Sequence, residues 1–220
     1  MTANKDDWFR EPCLSLEQIE YFEEKLKKSR SSRHEYIRIQ AYALQVSGQY
    51  RSAITMIERI EAEDKDHYSL SWLYESKAEC YLKLGCHELA IKWFRYSLQR
   101  ENERPTVIGN ASLTFPFWIA TERMSQYYDE AVAILLNTIE PDGLFPVRMF
   151  KQYAALALIV ADQGHIEDAQ PSARAALLYA ERTQSNAANH RTLGLVVDNY
   201  FELKSKLQRI IVGNTPYGGS

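Results

Sequence analysis

The stretch Gly85-Cys86-His87-Glu88-Leu89-Ala90 is flanked by apolar residues, with Tyr74, Ala78 and Tyr81 before it and Ile91 and Phe94 after it. The same register recurs as Gly48-Gln49-Tyr50 leading to Ala53, Gln126-Tyr127-Tyr128 leading to Ala131, and Gly164-His165-Ile166 leading to Ala169. Each Gly or Gln falls at a tight turn between two antiparallel helices. Each alanine falls where the second helix presses on the first, so a larger side chain there would hold the backbones apart. The pattern predicts an all-α fold, a right-handed α-α superhelix of about four stacked helical hairpins.

The four alanines are 37, 41 and 38 residues apart, which places the repeats at about 33–66, 68–101, 106–139 and 146–182 of one domain spanning 1–220. Ile37, Ala41 and Leu44 facing Ala53, Ile57 and Ile60 give the first hairpin its inward faces at helical spacing. A capping box, Ser15 with Gln18, opens an N-terminal helix over about 16–29. The third repeat departs most. It has Gln126 where the others have glycine, and Pro116 inside its apolar segment predicts a kink or a late helix start. Pro105 and Pro141-Asp142-Gly143 read as stops, and Pro146 suits a first helical turn. A final helix over about 195–211 carries Val196, Val197, Tyr200, Leu203, Leu207 and Ile210 on one face as a cap, with a frayed tail after it from Thr215.

Composition narrows the function classes. Formal charge is −3, with 26 basic and 29 acidic residues interspersed, so no basic face for nucleic acid is expected. The run Lys25 to Arg33 reads as a solvated helix end. The first residues lack the layout of a signal peptide, and the longest apolar run, Ala154 to Ala161, is far short of the ~18 residues of a membrane span. Three cysteines, an odd number, suit reduced thiols, so a cytoplasmic location with no membrane partner is expected.

Four in-register copies over roughly Arg33 to Arg182 make the chain resemble a tetratricopeptide repeat protein. More narrowly, Asp7-Trp8-Phe9-Arg10, Tyr36-Ile37-Arg38-Ile39-Gln40, Phe145-Pro146-Val147 and Thr192-Leu193-Gly194-Leu195-Val196 resemble a group of stand-alone bacterial tetratricopeptide-like proteins of unknown function. The resemblance implies a bacterial cytosolic protein and adds no site.

Catalytic and metal signals are weak. Cys80, Cys86 and His87 lie close in sequence but on opposite sides of a helix end, and His34, His67, His165 and His190 form no ligand pair on one helix face. No phosphate loop or nucleophile elbow occurs, so no metal, no cofactor and no catalytic residue is expected. In such hairpins the first helices line the concave side and offer side chains to a peptide or partner helix. The register puts Arg38, Tyr42 and Gln45 there from the first hairpin, Trp72, Glu75 and Glu79 from the second, Phe117 and Arg123 from the third, and Lys151 from the fourth. The expected function is non-enzymatic binding of a protein or peptide, with Glu75 and Glu79 disfavouring an acidic C-terminal tail. A self-associating structural or regulatory protein, forming a homodimer, is the alternative within binding. An enzyme with residues dispersed along the groove is the alternative of another class.

Overall fold

The computed structural model describes residues 7–29, 31–104, 109–140 and 143–218, and among them there are helices and turns but no strand. The expected stops at Pro105 and Pro141-Asp142 lie outside the described residues. The chain forms two compact units, one ending at Ala111 and the other beginning at Ser112.

In the first unit, α1 (Leu16–Lys28) precedes two hairpins, α2 (Arg33–Val46) with α3 (Tyr50–Glu63) and α4 (Leu70–Lys83) with α5 (His87–Glu103). The capping box forms as expected: the Gln18 N–H donates to Ser15 Oγ (3.2 Å) and the Ser15 N–H donates to Gln18 Oε1 (2.9 Å). α1 buries Phe22 and Leu26 against Ile37, Ala41, Ile57, Ile60, Leu70 and Leu73. Trp8 packs at 5.3 Å from Phe22 and 4.9 Å from Tyr36, and Phe9 at 4.5 Å from Tyr36. Gln40 is fully buried, oriented so that its amide nitrogen donates to Glu11 O (3.0 Å) and its oxygen accepts from the Cys13 N–H (2.7 Å). The pre-helical segment is therefore a plug on the first hairpin. Charge ties the same elements together at the surface: Arg59 holds Glu23 of α1 by two bonds (2.5 and 2.9 Å), while Arg33 of α2 holds Glu63 of α3 by two bonds of 2.9 Å.

The second unit contains α6 (Ala111–Thr121), α7 (Tyr128–Thr138), α8 (Pro146–Asp162), α9 (Ile166–Ala180) and α10 (Phe201–Ile211). α8 pairs with α9, and its run from Ala154 to Ala161 is buried at Ala154, Ala155, Ala157, Leu158, Ile159 and Ala161, as a helix covered on more than one side must be. α10 lays Leu203, Leu207 and Ile210 on α9 and α8. The capping helix begins at Phe201, six residues later than the sequence predicts. Gly194, at φ 72°, turns the chain and offers its carbonyl to the Val147 N–H (2.8 Å), and a Cβ on it would lie 2.7 Å from the Phe145 ring. Residues 195–197, which follow this turn, enter no helix. The expected fraying from Thr215 also fails over residues 215–218. Arg209 Nε donates to Thr215 O (2.9 Å), Pro216 is buried, and the Tyr217 ring lies 4.0 Å from the Arg123 guanidinium.

The register that predicted the hairpins has a physical basis at both of its positions. Ala53, Ala90, Ala131 and Ala169 are all at 0% exposure. Gly48, Gly85 and Gly164 have φ of 81°, 73° and 90°, and the residue after each donates its N–H five residues back, Gln49 to Leu44 O (2.8 Å), Cys86 to Tyr81 O (2.9 Å) and His165 to Val160 O (3.1 Å). This is the glycine-terminated helix end, in which a left-handed residue satisfies carbonyls the helix leaves free. The third turn makes the same bond, Met124 N–H to Ile119 O (3.0 Å), but its left-handed residue is Arg123 at φ 55°. Gln126, assigned to that turn from sequence, lies instead in a short 3-10 turn, Ser125–Tyr127. Three extra residues thus separate the left-handed position from Ala131, eight against five in the other hairpins. α6 itself starts at Ala111, five residues before Pro116, and runs through that proline, so the late start that proline suggested does not occur.

Two stability measurements test this geometry. Ala90→Leu should cost about 1–3 kcal/mol in urea unfolding, because the added carbons have no space where α5 meets α4. Arg123→Gly should be more stable than Arg123→Ala by about 1 kcal/mol, since both lose the side chain's contacts but only glycine is relaxed at positive φ. Equal stability of those two variants would count against a left-handed third turn.

Candidate partner-binding face

The nine residues that the register assigns to a binding surface divide between the two units. In the first unit α2 and α4 are neighbours, and Gln45 joins them: its Nε2 donates to Glu79 Oε2 (2.8 Å), and its Oε1 accepts from Ser76 Oγ. One turn toward the start of α2, Tyr42 is 64% exposed. One further turn back, Arg38 grips Glu35 through Nε (2.8 Å) and Nη2 (2.6 Å), and these bonds hold the Glu35 carboxyl below the usual carboxylate range. Tyr68, just before α4, faces the same carboxylate and meets Trp72 edge-on at 6.4 Å between centroids. Trp72 is 39% exposed, so its indole lines the face while remaining anchored along one edge. Arg38, Tyr42, Gln45, Trp72 and Glu79 therefore share one surface, with fixed charges beside open aromatic rings.

Glu75 does different work. It is buried, and its Oε2 accepts the Asn110 N–H (2.8 Å) while Glu101 Oε1 accepts the Gly109 N–H (2.9 Å). A Cβ on Gly109 would stand 2.8 Å from Glu101 Oε1, 2.9 Å from Glu75 Oε2 and 3.1 Å from Trp72 Cδ1, so a larger residue there would push on the two carboxylates that hold this segment. Glu75 secures the chain behind Trp72.

In the second unit Phe117 and Lys151 come together, the Lys151 ammonium lying 5.4 Å from the Phe117 centroid and 5.7 Å from that of Tyr200. Arg123 does not project from α6, which ends at Thr121. It lies in the following turn, where Nη2 donates to Asp162 Oδ1 (2.6 Å) while the Tyr128 hydroxyl donates to Asp162 Oδ2 (2.7 Å).

Two groupings escaped the sequence reading. Lys77 is 2% exposed, its ammonium 3.6 Å from the Trp93 centroid, 3.0 Å from Glu58 and 3.7 Å from Glu61. A desolvated cation over an indole is worth roughly 2 kcal/mol, and the paired carboxylates of α3 make its burial tolerable. Glu58 and Glu61, three apart on α3, were the only signal for it. The second grouping is His34, Asp64 and His67, which the fold gathers at one end of the first hairpin. The cysteines stay apart: Cys80 is buried, which pushes its thiol up to about 12, while Cys86 is exposed.

No protein-family model and no curated protein matches the chain. Among solved structures it is similar to the C-terminal part of a TPR repeat-containing protein from Cytophaga hutchinsonii, with a TM-score of 0.56 at 15% identity. The likeness covers 90% of this chain and 66% of that one. No helix among the described residues is long and apolar enough to cross a membrane. Repeated helical hairpins, buried alanine contacts and this likeness together give the chain a tetratricopeptide-type, all-α fold.

Proposed function

We propose that the chain is a protein-interaction module that acts by binding and not by catalysis, holding a peptide or a segment of a partner protein against the exposed face of α2 and α4. The observation that carries this reading is the set of solvent-facing rings there, Tyr42, Tyr68 and Trp72, beside the fixed charges of Arg38 and Glu79. Aromatic side chains that are already held in place lose little freedom on binding and give large contact area, which is the character of an interface hot spot. Glu79 and Glu35 on this face favour a neutral or basic segment over an acidic tail. The unbridged Cys13, Cys80 and Cys86 support a cytosolic setting. Self-association through the same face is the second reading, favoured by the same exposed rings.

The partner is to be recovered by affinity purification from the native host, and its affinity measured for Trp72→Ala, Arg38→Ala and Lys92→Ala, the last an exposed position on α5. Trp72→Ala should weaken binding by about 2 kcal/mol or more, roughly thirtyfold, and Lys92→Ala by far less. Loss of binding only in Lys92→Ala would move the site to the outer helices. Sedimentation of the purified chain, with and without Tyr42→Ala, distinguishes a foreign partner from a second copy.

A further inference from the structure

His34 lies in the first turn of α2, Asp64 caps the end of α3, and His67 sits in the link before α4. One ring nitrogen of each histidine and one carboxylate oxygen of Asp64 lie within 4.8 Å of one another. We propose that these three residues form a binding site for a divalent transition-metal ion, with zinc the cation it suits best.

The donor set is the first argument. Two imidazoles and a carboxylate match the borderline cations, whereas magnesium and calcium take shells of oxygen. Distance is the second. Zinc bonds nitrogen and oxygen at about 2.0–2.2 Å, so two donors on one tetrahedral ion stand roughly 3.4 Å apart. Closing from 4.8 Å requires about 1.4 Å, shared among three side chains and within reach of small torsional adjustments.

The supporting shell is the third argument. His34 Nε2 lies 3.2 Å from Glu63 Oε2, and Glu63 is itself fixed by Arg33 (2.9 Å) and Arg59 (3.3 Å). His67 Nδ1 lies 2.8 Å from Ser69 Oγ. Asp64 Oδ1 accepts the Asp66 N–H (3.0 Å). Each prospective ligand therefore has a polar neighbour outside the trio that restricts its rotation, as the partners around metal-binding side chains do. The rings stand edge to face, 5.1 Å between centroids. Arg33 and Arg59 are engaged by Glu63 and Glu23, so Asp64 supplies the negative charge facing the ion. Three protein ligands leave a fourth position for water. The ion would pin the start of α2 to the α3–α4 link, joining the two hairpins of the first unit.

The test uses the full chain without an affinity tag, stripped by chelator and titrated with zinc chloride by calorimetry, with melting temperature followed in parallel. One zinc per chain and a melting temperature that rises with zinc are expected, since a ligand of the folded state stabilises it by mass action. His34→Gln and Asp64→Asn, each checked for helical content without metal, should lower the affinity by about a hundredfold, and Ser69→Ala by about 10–100-fold. Cys86→Ser with His87→Gln should leave it unchanged. Absence of stoichiometric uptake by the wild-type chain overturns the proposal whatever the variants do. Uptake that survives His34→Gln and Asp64→Asn but is lost with Cys86 and His87 overturns it as well.

Discussion

Close contact between paired helices is the constraint on which the rest depends. Alanine at positions 53, 90 and 169 lets the backbones of α2 and α3, α4 and α5, and α8 and α9 meet with no side chain between them, and each is wholly removed from solvent. A helix pair of this kind buries its inner stripe but leaves the outer one open. The next hairpin must cover it, which is why Lys77 ends up beneath Trp93 with Glu58 and Glu61 around its ammonium. The candidate face on α2 and α4 follows from the same geometry. With α2 beside α4, Gln45 can span to Glu79, and Tyr42 and Trp72 are left facing outward.

Segments outside the repeats do a second job. The four stretches that set this chain apart from a plain repeat array meet in pairs: Trp8 and Phe9 rest on Tyr36, the chain just after them bonds Gln40, and Gly194 seats against Phe145 and Val147. Each pair closes one unit around its own core. Repeat units covered at their ends by different, non-repeating chain are what a short helical array needs to stay soluble and well packed.

Hairpin order and the helix-pair contacts were legible in sequence because they depend on local spacing, glycine five residues before alanine with apolar runs around them. The third turn was misread for an equally local reason. A non-glycine residue, Arg123, takes the left-handed position, and a three-residue 3-10 turn shifts the alanine, so that Gln126 occupies the sequence position where the other hairpins have glycine. The capping helix reads as longer than it is because Val196 and Val197 fit a helical stripe, while the turn just before them, at Gly194, is bonded to the distant start of α8. On the candidate face, Tyr42 and Trp72 could be placed by register, but Glu75 could not be told from its exposed neighbours, since its partner, the Asn110 backbone, lies 35 residues away. His34 looked isolated for the same reason, with Asp64 and His67 some thirty residues on.

Arg123 also sets an order of events. Its strained backbone is held by side-chain contacts to Asp162, 39 residues downstream, and to Tyr217, 94 residues downstream. During synthesis at about 5–20 residues per second, α6 and α7 therefore emerge several seconds before the groups that fix the turn between them. The first unit has no such dependence, since its left-handed positions are glycines that need no distant support. The turns described in the first unit thus depend only on chain that has already emerged, while the opening turn of the second is completed by residues that emerge later.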